Sequence, residues 1–155
     1  TIFKKIKFET HENIGSGPIS LPEMELHTNA AMLSMRPDIF EWDENRIEQG
    51  MIGASHALNC MIPLYVMCDP HDIHVYPQVK AAHNEQPTIF IYDSYPGGIG
   101  LSDKVYENSE LILKETISMI ENCSCESGCP SCIGTESATK TAKNDAKRLL
   151  GQFCK

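Results

Sequence analysis

Residues 123–132 read Cys123-Ser124-Cys125-Glu126-Ser127-Gly128-Cys129-Pro130-Ser131-Cys132, four cysteines in ten positions with the spacing C-x-C-x3-C-x2-C. Four soft thiolates in one turn-rich segment suit a closed tetrahedral Zn²⁺ site, and Gly128 lets the backbone turn with positive φ between the two pairs. All four positions are filled by protein, so the ion is expected to be structural. An iron–sulfur cluster draws on the same ligand type and stands as the alternative. A redox pair at Cys129 and Cys132 would leave the other two thiols without a role.

The chain has seven cysteines, an odd number, and the other three, Cys60, Cys68 and Cys154, are scattered. An exported disulfide scaffold would space and pair them differently. The pattern reads as a metal site in a reducing compartment, so a cytoplasmic location is expected.

Because the ligands lie so close in sequence, the metal fastens one turn between two helices. Before it, Ser102 to Asn122 has apolar residues at Tyr106, Leu113, Ile117 and Ile120, with a break at Asn108-Ser109. After it, Thr139 to Phe153 reads as a last helix that ends around Gly151. There Lys140, Lys143 and Lys147 recur at i, i+3 and i+7 with Arg148 beside them. A solvated helix face accounts for this basic stripe, and a phosphate contact is the functional reading. Lys4, Lys5 and Lys7 form a weaker second patch.

Further upstream, Asp43 to Met67 places Ile47, Met51, Leu58, Met61, Ile62 and Tyr65 along one helical face. It is the expected core helix, weakened by Gly50 and Gly53 and kinked or restarted at Pro63. Ile73 to Tyr76 and Thr88 to Asp93 read as strands, the second central because its apolar run is more continuous, with a polar loop from Pro77 to Pro87 between them. The opening 36 residues read as two or three antiparallel strands. Lys5 to Phe8 is half-buried in this reading, Gly15-Ser16-Gly17-Pro18 is a break, and the alternation of Met24, Leu26 and Thr28 slips by one near Asn29-Ala30. The expected fold is α+β: antiparallel strands packed against a long helix, with a C-terminal helix, four-cysteine zinc turn and helix, all in one domain over 1–155.

Gly97-Gly98-Ile99-Gly100 lies between a strand and a helix, where phosphate loops also lie. No Gly-Lys-Ser/Thr follows it, so Gly97, Gly98 and Gly100 are assigned to a tight structural turn. Cys68-Asp69-Pro70-His71-Asp72 is read as a helix end, His56 as a core or boundary residue, and Asp93 as a turn or cap residue. No catalytic triad is recognisable.

Hydrophobic residues make up 41% and charged residues 22% of the 155, which excludes a disordered or fibrous chain. The longest mostly apolar run, Cys60 to Cys68, is far short of the roughly 20 residues that cross a bilayer. No membrane partner is expected. A net charge of −8 makes a poor stand-alone phosphate binder, because counterion release needs clustered Lys and Arg. The opening Thr1-Ile2-Phe3-Lys4-Lys5 carries no export signal and reads as the cut edge of a longer polypeptide.

Tyr95-Pro96-Gly97-Gly98-Ile99-Gly100-Leu101, then a helix, then Cys-x-Cys and Gly128-Cys129-Pro130-Ser131-Cys132-Ile133, resembles the zinc-binding domain at the C-terminus of MrfA-type DEAD/DEAH-box helicases. His56-Ala57-Leu58 and Cys68-Asp69 agree, and the likeness runs over nearly the whole chain. The resemblance implies that Cys123, Cys125, Cys129 and Cys132 are the zinc ligands. It implies a parent with two RecA-like motor domains on the same polypeptide that hydrolyse ATP and unwind DNA 3′ to 5′ in DNA repair. The chain itself has no G-x-x-x-x-G-K-[ST] motif, so it is expected to be an accessory module and no enzyme by itself. The other reading is a zinc-stabilised protein-interaction module in a multi-subunit defence or repair complex, which the acidic charge favours.

Overall fold

Asp43 lies in extended backbone and its carboxylate accepts the amide of Arg46 at 2.7 Å, a side-chain cap that starts the longest element, α1 (Glu44–Val66). The computed structural model that places it describes residues 2–20, 22, 25–36, 43–135 and 140–154. The helix ends at Met67, whose left-handed φ of 56° turns its N–H back to the Pro63 carbonyl. Pro63 neither restarts nor interrupts it, against expectation. The carbonyl that loses a donor belongs to Asn59, on the exposed side, where solvent can replace the bond.

The hydrophobic stripe of α1, with Met51, Leu58 and Ile62 at 0–1% exposure, covers a three-stranded antiparallel sheet. Before that sheet come β1 (Ile2–Ile6) and β2 (Asn13–Pro18), a separate antiparallel hairpin. The sheet itself comprises β3 (Ala30–Ser34), β4 (Ile73–Gln78) and β5 (Thr88–Asp93), in the order β3-β5-β4. The central place of β5 follows from its apolar run: Ile89 and Ile91 are buried, and they pair with Leu33 and Ala31 on one side and Pro77 and Val75 on the other.

Three local expectations are corrected. The segment Gly15 to Pro18 is no break but the body of β2, where Gly17 leaves room for the Phe3 ring, 3.1 Å from where a Cβ would stand. Nor is the first strand half-buried, since every residue of β1 is exposed. Gln78 extends β4 past Pro77, so the following loop is shorter than expected. Glu23 and Met24 of the expected alternation lie outside the described residues, and 25–29 carry no strand. β3 begins at Ala30, where the alternation slips.

After β5 the chain makes the glycine turn and enters α2 (Leu101–Glu107), then α3 (Ser109–Asn122), which meet at the expected break beside Asn108. The last helix, α4 (Ala142–Leu150), runs on into a 3₁₀ turn at Gly151–Phe153. Its expected start at Thr139 lies outside the described residues. α4 packs on α1 through Gly50 and Gly53: a Cβ at Gly50 would stand 2.7 Å from Leu149 Cδ1, and one at Gly53 3.3 Å from Ala146 Cβ. The two glycines that cost helix propensity are what lets the helices approach.

Candidate metal centre

Cys123 follows the last turn of α3 with extended backbone (φ −70°, ψ 128°), which takes the chain away from the helix axis and into the cysteine loop. At the far end of the loop the Cys129 carbonyl accepts the amides of Cys132 and Ile133, both at 3.1 Å, closing a tight turn. Buried Cys132 and Ile133, each 1% exposed, anchor that turn in the core. Gly128 has φ 119°, as the spacing requires, and a Cβ there would collide with Ile133 Cδ1.

The ligand atoms of the four cysteines all lie within 4.8 Å of one another. The pairs Cys123–Cys129 and Cys125–Cys132 are 3.5 Å apart and Cys129–Cys132 3.7 Å, and all four thiols are free. A regular ZnS₄ tetrahedron with bonds of about 2.3 Å has edges of about 3.8 Å. The sulfurs therefore fit one four-coordinate ion, whereas a multi-iron cluster sits between its ligands and would hold them further apart. The Cys129 amide points at Cys132 Sγ from 3.3 Å, a bond that favours thiolate. Amide bonding from Cys132, then the Cys123 thiol, pulls Cys129 down to about 6, while burial pushes Cys132 up to about 12. A divalent cation is what lets all four ionise together.

Lys143, one of the expected basic stripe, has a different place. Its ammonium donates to the Cys123 carbonyl at 2.6 Å and the Cys125 carbonyl at 2.7 Å. Those carbonyls lie at the negative end of α3, where a cation is favoured. The Lys143 amide also donates to the Ser127 carbonyl at 3.3 Å, so α4 is tied to the loop through main chain and side chain alike. Lys147 pairs with Glu121 at 3.3 Å across the α3–α4 junction, and Lys140 and Arg148 are exposed.

The glycine turn is positioned by Asp93, at the end of β5 and 0% exposed. Its carboxylate accepts the amides of Ile99 at 2.7 Å, Leu101 at 3.1 Å and Ser102 at 2.7 Å. Gly97, Gly98 and Gly100 all have φ between 73° and 85°, the left-handed region. The amides of this turn thus converge on a protein carboxylate, the place a phosphate would take. The Cys68–Asp72 segment is likewise a turn: Asp69 accepts the His71 amide at 2.9 Å and Asp72 accepts the Tyr95 hydroxyl at 2.7 Å. His56 lies partly buried in α1, its ring 3.0 Å from a Cβ position at Gly134, just past the cysteines.

One pairing is absent from the sequence reading. Arg46, in the first turn of α1, grips Asp145 of α4 with two bonds of 3.0 and 2.7 Å. The only hint is that Asp145 stands alone among the basic residues of the tail. No helix among the described residues is long and apolar enough to cross a membrane.

A family model described as the MrfA Zn-binding domain matches residues 54–133. Over 153 residues the chain is 51% identical to the ATP-dependent helicase YprA of Bacillus subtilis, a match covering 99% of this chain and 20% of that protein. An uncharacterized protein of Methanocaldococcus jannaschii is 34% identical over 86 residues, 54% of this chain and 77% of that one. The crystal structure of the DUF1998 helicase MrfA bound to DNA matches with a TM-score of 0.88 at 51% identity, covering 98% of this chain and 20% of that chain. The chain thus spans about a fifth of the length of these two helicases. With a family match that takes in most of α1, the central strand, the glycine turn and all four cysteines, the chain belongs to the MrfA Zn-binding domain family.

Proposed function

We propose that this chain is the structural zinc module of an ATP-dependent DNA helicase of the DEAD/DEAH-box type, helping to position or enclose a DNA strand beside the motor domains of the same polypeptide. Cys123, Cys125, Cys129 and Cys132 hold one Zn²⁺, which when bound fixes the loop between α3 and α4. Lys143 caps the loop carbonyls, and Arg46 with Asp145 sets α4 against α1. ATP hydrolysis and 3′ to 5′ unwinding in DNA repair belong to the rest of the polypeptide.

The observation that carries the reading is the likeness, at a TM-score of 0.88, to a helicase whose structure was solved with DNA bound. Of the basic residues on the tail, Lys140 and Arg148 are exposed, and the surface pair of Lys147 with Glu121 is weak enough to exchange for a phosphate. Lys143, already bonded to the loop, is assigned to the metal site.

Single-residue variants of the full helicase test this division. Lys140→Ala should leave zinc content unchanged and lower the slope of log affinity for DNA against log salt by about 1, the loss of one phosphate contact. Lys143→Ala should lower zinc retention instead. An unchanged salt slope for Lys140→Ala, with partner proteins retained after nuclease treatment, would favour the protein-interaction module.

A further inference from the structure

A cavity of about 400 Å³ opens between α1, β4 and the segment that follows the cysteines. Its polar wall is Ser55, His56 and Asn59 from α1, His74 from β4, and Thr135. Its apolar wall includes Ile52, Val75, Pro77, Pro130 and Ile133. Ser55 is 5% exposed, and its hydroxyl has no hydrogen-bond partner among the described residues. A buried hydroxyl left unpaired costs stability, and a ligand supplying the missing bond would recover it.

The composition of the wall decides the class of ligand. Among the described residues neither Lys nor Arg lines the cavity, so no permanently charged group awaits a phosphate there. Among the described residues neither Asp nor Glu lines it, so a cation would fare no better. What remains is a neutral polar molecule. Hydroxyl, amide and imidazole groups each offer both a donor and an acceptor, the complement that a nucleobase edge requires. Flat proline and imidazole surfaces with branched aliphatic side chains suit the faces of a ring. A volume of about 400 Å³ is in the range of small-ligand sites and admits one base with its sugar.

We infer that this cavity is a subsite for one unpaired nucleobase, with Ser55, Asn59 and His74 reading its edge. The inference rests on the DNA reading above and gives it a feature that backbone contacts lack, recognition of a base beside the zinc loop.

Amide-resolved NMR of this chain, titrated with thymidine and 2′-deoxyadenosine, tests it, with 2-deoxyribose 5-phosphate as the control probe. Saturable shifts at Ser55, Asn59 and His74 are expected with a nucleoside and not with the sugar phosphate. The double variant Asn59→Ala/His74→Ala, exposed positions whose loss leaves the core alone, should bind the nucleoside about tenfold more weakly or worse. Ser55→Ala should also weaken binding while leaving the melting temperature unchanged or raised. Absence of saturable shifts, equal shifts with the sugar phosphate, or a Ser55→Ala variant that melts lower and binds as before would overturn the subsite. Salt-dependent DNA binding by the full helicase would survive that result, so the two readings fail separately.

Discussion

Among the described residues Asp93 has no cationic partner at hydrogen-bond distance, yet it is fully buried. Burial pushes its carboxyl up, but the amides of Ile99, Ser102 and Leu101 together outweigh that, and its pKa falls below the ordinary carboxylate value. A carboxyl depressed in the folded state adds stability above its unfolded pKa of about 4 and loses it as pH falls through the folded value. Asp93→Asn keeps the shape but puts an NH₂ where an N–H needs an acceptor. It should cost about 2–3 kcal/mol at pH 7 by urea unfolding, with the gap to the wild type narrowing as the pH drops below about 4. A gap independent of pH would show that the charge contributes nothing. The type of residue and its place at a strand end mark Asp93 as a cap, but which three amides it gathers depends on the left-handed turn at Gly97, Gly98 and Gly100. The same limit applies to Lys143: helical spacing puts it on a face, while its carbonyl partners lie 18 and 20 residues upstream.

Among the elements, α1 is legible to within a residue of each end, because its apolar stripe and its Asp43 cap are local features. The hairpin β1–β2 is not legible in that way. Gly15-Ser16-Gly17-Pro18 looks like punctuation until Phe3 is seen lying against Gly17. The seam between α1 and α4 is also a product of tertiary structure: Gly50 and Gly53 look like defects in one helix and serve as contact surface for the other. Arg46 and Asp145 lock this seam asymmetrically, with side-chain exposures of 40% and 2%. Removing Asp145 leaves a guanidinium that can swing into water, whereas removing Arg46 leaves a carboxylate buried without its cation. Arg46→Ala should therefore lower the urea midpoint more than Asp145→Ala, and the double variant should be no worse than Arg46→Ala alone. The opposite order would mean that the buried Asp145 carboxylate does not depend on Arg46 to offset its charge.

In the whole molecule the cysteine loop is a local clasp with a distant effect. Its four cysteines span only residues 123–132, but Lys143, the Ser127 carbonyl and the buried Ile133 carry its geometry into α4. From there the Asp145 grip and the glycine seam reach α1, and α1 carries the sheet. The cysteine motif is legible because its four members stand at short, regular spacing in one segment. The route by which it organises the rest is not, since every link joins residues far apart in sequence. Hydrogen exchange of this chain before and after chelation, with metal content measured alongside, tests the clasp most directly. The account predicts one Zn²⁺ per chain, and loss of amide protection in α4 once the ion is removed, with the β3–β5–β4 sheet retaining its own. Metal-free protein with α4 protected as before, or protein indifferent to the chelator, would contradict it.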